Sequence, residues 1–319
     1  MDGPSPSKET IIGFQAQAAE GTGIDSSVIW CPYNESTDLG QRGGLIAFDQ
    51  ADTVHQRNIA IPDGRWWEGS MPITLRPVAP LVSALFGASG ILNSAARDNY
   101  NRGPVFTVFR VDKVAGVQRT LAGKDCRVAS WTLGATAGQG EVISFSMDIR
   151  GKSDFATSVT PSGSFGAPYL WTESSVRIKL GGGAWAADIN FEELEISGEE
   201  NLSDISAGMR LGSGLNPHKL DNMGDQEVRI TATRDQVDTL LYDQWILQRA
   251  NSGIDSGNAM GLEFILTSGG QTITLTANRC GIAEYTDSLP GSKVGLKKEA
   301  ISFDCYASAD GATGALVAS

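Results

Sequence analysis

The sequence predicts a mainly β chain of two tandem β-sandwich domains, each flanked by a short α-helix, and three observations predict it. Glycine is abundant, with 38 residues in 319, and charged residues are sparse at 19% beside 41% apolar ones; that composition favours short strands joined by turns. Several segments alternate apolar and polar residues with a period of two, the mark of a strand with one face in a core and one in water. The third observation is repetition. "CRVASWTLGATAGQGEVISFSM" from Cys126 is echoed by "CGIAEYTDSLPGSKVGLKKEAISFDC" from Cys280, and the length exceeds what one core usually serves.

The cysteines of the two copies lie 154 positions apart (280 − 126) and the Ile-Ser-Phe triplets 158 apart (301 − 143), so a four-residue insertion in the intervening loop is expected. Each copy follows a β-like segment and a short amphipathic helix: "MPITLRPVAPLVSALFG" from Met71 and "VRITATRDQVDTLLYDQWILQ" from Val228, whose Ile-Thr pairs are 157 apart (230 − 73). Pro77 and Pro80 restrict the first helix to a start near Pro80, with Leu81, Leu85 and Phe86 inward. Arg234-Asp235 is the expected start of the second, with Val237, Leu240, Leu241 and Trp245 on one apolar face.

"PVFTVFRV" and "GLEFILTSGGQTITLTANRCGIAEY" read as strands, the latter a hairpin turning at Gly269-Gly270. In "SSVRIKL", Val176, Ile178 and Leu180 alternate with Arg177 and Lys179, and in "VISFSMDIR", Ile143, Phe145, Met147 and Ile149 are core while Ser144, Ser146, Asp148 and Arg150 form a polar face. Stretches without periodicity set the boundaries. An N-terminal arm occupies 1–41, the first sandwich 42–152, a Ser/Thr/Gly/Pro-rich linker 153–170, the second sandwich 171–310 with a long loop at 198–225, and a C-terminal tail 311–319.

Thirty-seven acidic against 25 basic side chains give a net charge of −12. A phosphate-gripping surface needs clustered Lys and Arg, so a nucleic-acid binder is disfavoured, whereas a wall that a polyanion passes without adhering fits. The opening residues have no basic segment followed by an apolar run, and no stretch approaches membrane-spanning length, which predicts a cytoplasmically made product with no membrane partner. Cys31, Cys126, Cys280 and Cys305 have no C-x-x-C spacing and read as buried thiols. No enzyme signature emerges. His55 and His218 stand in no metal-ligating spacing, there is no G-x-S-x-G or P-loop, and the pairing of Glu192 with Glu195 is what chance supplies in an acidic chain. The sequons at Asn34 and Asn201 carry little meaning without a signal peptide. No catalytic residue, metal or cofactor is expected.

"IIGFQAQAAEGTGIDSSVIWCP", "APLVSALFG", "GKDCRVASWTLGATAGQGEVISFSMDIRGK" and the run from "NFEELEIS" to "LLYDQW", in this order, resemble the major tail tube proteins of long, flexible-tailed bacteriophages. The resemblance spans nearly the whole chain and implies sandwiches whose inner sheets join to line a tube. Relatives with one such domain form hexameric rings, so a duplicated chain implies three per ring with pseudo-sixfold symmetry; six chains with half of each outside the tube is the alternative. If about four strands per domain face inward, roughly twenty-four strands at about 4.8 Å spacing and about 40° tilt close to about 48 Å across. The implied partners are further copies of the chain, a tape-measure protein, tail-terminator or tail-tip proteins, and double-stranded DNA in non-adhesive passage; the implied location is the virion tail, assembled in the host cytoplasm. A tube subunit of a contractile secretion system and a cell-surface β-sandwich binding module are the alternatives from other classes.

Within that expectation Asp49, Asp52, Glu192, Glu193 and Glu195 are the candidates for an acidic lumen, from a run in "NFEELEISGEENLSD" that also holds Glu199, Glu200 and Asp204. Trp66, Trp67, Asn201, Leu202, Met209 and Leu215 are the interface candidates. Adjacent tryptophans on a strand face opposite ways, so one ring is expected at a surface or interface.

Overall fold

The computed structural model describes residues 9–32, 38–48, 59–76, 79–87, 90–93, 103–114, 117–136, 141–162, 166–204, 217, 220, 225–251, 254–255, 257–288, 297–308 and 314–319. The first half contributes β1 (Glu9–Ala16), β2 (Ile29–Pro32), β3 (Gly40–Phe48), β4 (Ile59–Thr74), helix α1 (Ala79–Phe86), β5 (Phe106–Val114), β6 (Val117–Thr136) and β7 (Ser144–Asp154). The second contributes β8 (Ser175–Leu180), β9 (Ala186–Asp188), β10 (Phe191–Glu199), β11 (Glu227–Asp235), helix α2 (Leu240–Ala250), β12 (Met260–Ser268), β13 (Gln271–Ser288), β14 (Lys298–Cys305) and β15 (Val317–Ala318). A mainly β chain with a short helix in each half is what the alternation and turn chemistry predict.

Strand pairing repeats with the chain. The first half runs β2-β1-β5-β6-β7-β4-β3 and the second β9-β8-β12-β13-β14-β11-β10, antiparallel throughout. The bulges repeat as well: β6 slips against β7 between Val128 and Ser130, and β13 against β14 between Ile282 and Glu284. These positions, like Cys126 and Cys280, are 154 apart, and so are their partners Gly151 and Cys305. The Ile-Ser-Phe triplets are therefore not equivalent: Phe303 corresponds to Ile149, four residues from Phe145. In the same way the ends of β4 and β11 (Thr74, Asp235) and the starts of the helices (Ala79, Leu240) are 161 apart, not 157. The expected four-residue insertion is a slip of two pleats, which leaves every side chain on its own face.

The N-terminal and linker expectations need correction. Residues 9–32 are not an irregular arm but carry β1 and β2, with Ile12, Phe14, Trp30 and Cys31 buried. The loop between them is pinned by Glu20, which bonds Arg127 (2.6 Å) and Lys152, and by Gln17, whose side chain bonds Asp125 (3.0 Å). The described part of the proposed linker likewise bonds to the first half, and near its end Ala167 O and Pro168 O accept from Ser268 Oγ of the second. β7 extends to Asp154, Val159 O accepts from Gln118 and Thr120, and buried Tyr169 exchanges backbone hydrogen bonds with Leu75 and Ile143. Its low periodicity reflects backbone that bonds singly to neighbouring loops instead of in a ladder.

Gly269 and Gly270, at φ 56° and 82°, make the hairpin turn between β12 and β13. The second helix departs from its expected form. Arg234 is in β11, and Asp238 precedes α2 and accepts from Leu240 N (3.1 Å). Of the expected apolar face Leu241 is buried and Leu240 and Trp245 pack half-buried against the core, whereas Val237 is exposed and Gln244 and Gln248 turn inward. The bulge in β13 explains the glutamine: Gln248 accepts from Ile282 N (2.7 Å) and donates to Asn258 O (2.8 Å), satisfying backbone that the irregular ladder leaves over.

Two packing solutions distinguish the halves. In the first, Trp67 lies opposite Gly151, and a Cβ on Gly123 or Gly151 would come within 2.5 and 3.0 Å of its side chain. The corresponding residues of the second half are Val228, Cys305 and Ala277. One indole thus fills the volume of three smaller groups. Cys280 and Cys305 face each other with sulfurs 3.4 Å apart, as buried free thiols.

The second half also buries a charge cluster. Arg234, 1% exposed, bonds Asp188 (2.7 Å), Glu299 (2.9 Å) and Asp238 (3.1 Å), and Glu299 accepts from Tyr285 Oη (2.6 Å). β9, β11, β13, β14 and the entry to α2 are tied at one point. For Asp238 and Glu20, burial would raise the carboxyl pKa, but it is outweighed by hydrogen bonds from Arg234 and from Lys152 and Arg127, so both lie below their usual range.

Gly123→Ala should destabilise by about 1–3 kcal/mol through overpacking, and Trp67→Val in the same chain should recover much of that loss; urea titration of the single and double variants checks the coupling. Glu299→Ala should cost about 1–3 kcal/mol, because it leaves the Arg234 Nη1 and Tyr285 Oη donors without the carboxylate that accepts from both, while Asp188 and Asp238 still pair the guanidinium. Because the depressed carboxyls stabilise the fold only when ionised, the wild-type urea midpoint should hold steady above about pH 5 and fall as the pH drops through their folded pKa values.

Candidate functional site: a polar face across both halves

β6 carries the site. Its first part pairs with β5, its second with β7 on one edge and with β10 on the other, Ser130 opposite Glu199 and Thr136 opposite Glu193. That pairing joins the halves into one antiparallel run, β3-β4-β7-β6-β10-β11-β14-β13. One face of the run is apolar: Phe145, Met147, Ile149, Trp131, Leu133, Leu194, Ile196, Ile230, Ile301 and Phe303 are all buried. Helix α1 covers part of it, with Phe86 edge-on to Trp131 and Phe145 at 5.5 and 5.9 Å. Strand alternation sends the remaining side chains to the opposite face.

Rows of small and polar residues cross that face from one half to the other. One row reads Ser70, Asp148, Ser130, Glu199, Glu227; another reads Ser144, Gly134, Glu195, Thr231, Ser302, Glu284. Two open grooves of about 720 and 710 Å³ lie along it, the first lined by Arg42, Glu68, Asp148, Arg150 and Glu199 and the second by Glu193, Glu195, Thr233, Glu284 and Thr286.

The charges on this face are unequal. Arg150 meets Glu68 (3.7 Å) and Asp204 (3.4 Å), Arg229 meets Asp304 (2.9 Å), Arg42 meets Asp38 (3.2 Å), and Lys298 meets Glu192. Each of these bases is matched by acid. Among the described residues, Asp148, Glu193, Glu195, Glu199, Glu227 and Glu284 have no basic partner within ion-pair distance; Asp148 accepts from Ser130 (2.8 Å) and Glu193 from Thr233 (3.3 Å). Carboxylates spaced at strand distances lie within a Debye length of about 8–10 Å, so their fields add over the face.

The acidic candidates divide accordingly. Glu193 and Glu195 are exposed on the polar face, whereas Glu192 sits in the β10 bulge, half-buried and neutralised by Lys298. Glu200 is buried and bonds Gln226, so it does not add to the face. Asp49 and Asp52 lie outside the described residues. The sequence run did not reveal Glu227 and Glu284, which come from β11 and β13; only the period-two pattern in each of those strands points to them.

The interface candidates need one clear correction. Trp67 is 1% exposed and donates to Asp154 (2.6 Å), so it packs inside its own chain, directed there by the space at Gly123 and Gly151. Trp66 does face the other way, half-buried, and donates to Glu68 (3.0 Å). It packs with Ala129 against Leu202 and Leu220, and Arg150 holds the carbonyls of Leu202 and Ser203. Leu202 is therefore also an internal contact. Asn201, at φ 48°, donates to Asp225 O (2.6 Å) and closes the base of the 198–225 segment. Met209 and Leu215 lie outside the described residues.

Among the described residues no three His, Cys, Asp or Glu side chains are grouped to hold a metal ion, and no helix is long and apolar enough to cross a membrane. The broad charged face with its two open grooves is, among the described residues, the candidate site of this β protein. Residues 9–307 match the family model described as phage tail tube protein, and the chain belongs to that family, a structural component of the phage tail. No curated protein matches the chain.

Proposed function

We propose that the chain is the tail tube subunit of a long, flexible-tailed phage and that its polar face lines the tube. The observation that carries this reading is the unbroken run of eight strands, four from each half, with the apolar face outward under the helices and the acidic face on one side. The two halves then act as tandem tube domains. Three chains supply twenty-four strands, enough to close a wall about 48 Å across at a tilt of about 40°, and rings with pseudo-sixfold symmetry stack head to tail into a filament. The uncompensated carboxylates repel phosphates, so double-stranded DNA slides along the wall instead of adsorbing.

In this reading the subunits polymerise around a tape-measure protein in the host cytoplasm, and terminator and tip proteins cap the ends. The 198–225 segment, whose described base is tied by Asn201 and Leu202, in this reading couples one ring to the next, with Met209 and Leu215 as its contact residues. Negative-stain microscopy of concentrated protein should show annular stacks with six lobes; protein that stays single at all concentrations would overturn the reading. Glu193→Lys/Glu195→Lys virions should assemble full-length tails yet eject DNA more slowly, and normal ejection would remove these residues from the lumen.

A further inference from the structure

The junction between halves is a template for a second contact. β10 corresponds to β3 at an offset of 157, since Ser197 faces Arg229 as Gly40 faces Glu68, and β13 corresponds to β6 at 154. Among the described residues the β10–β6 pairing therefore has an unfilled counterpart: there β3 pairs only with β4, and β13 beyond Gly281 only with β14. The side chains record the same vacancy. Trp131, covered at the junction, is 2% exposed, while its equivalent Tyr285 is half-buried; Ser130 and Thr132 are half-buried, while Glu284 and Thr286 are exposed. Tyr242 on α2, 42% exposed, lies against Tyr285 (5.7 Å) beside this edge.

We infer that the β3 edge of one copy adds antiparallel to the β13 edge of a second copy in the register of the internal junction, with Arg42 opposite Glu284, Gln41 opposite Tyr285 and Gly40 opposite Thr286. This rests on the annular reading above and adds to it the partner strand, the register and the charge pair. At the template, Glu199 faces Ser130 and Ser197 faces Thr132. Glu200 N bonds Ala129 O (2.8 Å), so Gly198 with Trp131 is a hydrogen-bonded pair, and Glu199 with Ser130 is a non-hydrogen-bonded pair with closely spaced Cα atoms. By equivalence Gln41 and Tyr285 exchange backbone hydrogen bonds, and Arg42 and Glu284 stand side by side on the polar face. Opposite charges there favour the register, and like charges would oppose it. Arg42, now paired with exposed Asp38, gains a second carboxylate.

The pairing explains how the two ends of one chain complete each other. An edge strand left open in each copy becomes an internal strand on closure, and each closed ring has no exposed edge at this level. The test is a cysteine pair. Arg42→Cys/Glu284→Cys should form an intermolecular disulfide under mild oxidation, running on a non-reducing gel as a ladder that stops at the ring number, whereas Gln41→Cys/Glu284→Cys, whose side chains would lie on opposite faces, should not. As a second measurement, Arg42→Glu should raise the concentration needed for assembly about tenfold, and Arg42→Glu/Glu284→Arg should restore it. Annuli without the Arg42–Glu284 cross-link, or with equal cross-linking in the shifted control, would overturn this pairing and leave the tube reading intact. Wild-type protein that stays monomeric would overturn both.

Discussion

A single strand, β6, holds the two halves in one sheet. Over its twenty residues it changes partner on one edge, from β5 to β10, while β7 follows it on the other. The backbone of Ser130–Thr136 must be an internal edge for both halves at once, and the junction is secured on its apolar side by a large ring with nowhere else to go: Trp131 lies where a Cβ on Gly198 would fall 2.1 Å from its indole nitrogen. A glycine on the second half and a tryptophan on the first are therefore one interlocking contact. Because register in a half-buried sheet is fixed to an even number of residues, that contact also decides which side chains of the second half share a face with those of the first.

The electrostatic character of the polar face depends on that register. Asp148, Glu199 and Glu227 form one row only because β7, β6, β10 and β11 are aligned as they are, and the same applies to Glu195 and Glu284. Surface ion pairs contribute little stability one by one, so the pairs of Arg150, Arg229 and Lys298 matter more for what they neutralise than for holding the fold. By contrast the buried cluster around Arg234 is structural. Asp188 and Glu299 lie inside the second half with the guanidinium, and removing both would leave a buried charge without its buried partners.

The two halves share one strand order and carry unequal packing at equivalent places. Trp67 with two glycines and Val228 with Ala277 and Cys305 fill comparable space. The covered Trp131 and the partly open Tyr285 differ because one has β10 over its edge and the other does not. The match to the tail tube family spans both halves, and the asymmetry between the two equivalent edges follows from the one internal pairing of β10 with β6.

The sequence by itself determined what depends on near neighbours. Alternation placed Phe145, Met147 and Ile149 in the core and Ser144, Ser146 and Asp148 on the polar side, Gly269-Gly270 marked a hairpin, and the cysteine repeat marked the duplication. These are properties of a few consecutive residues and survive a slip of four. Only the tertiary structure decided which strand lies beside which. It took Trp67 into the core because two distant glycines make room, turned Gln248 inward to serve a bulge in β13, made strands of residues 9–16 and 29–32, and drew the carboxylates of β7, β10, β11 and β13 onto one face. Each of these outcomes is set by backbone partners far away in the chain, and a local pattern carries no record of its partner.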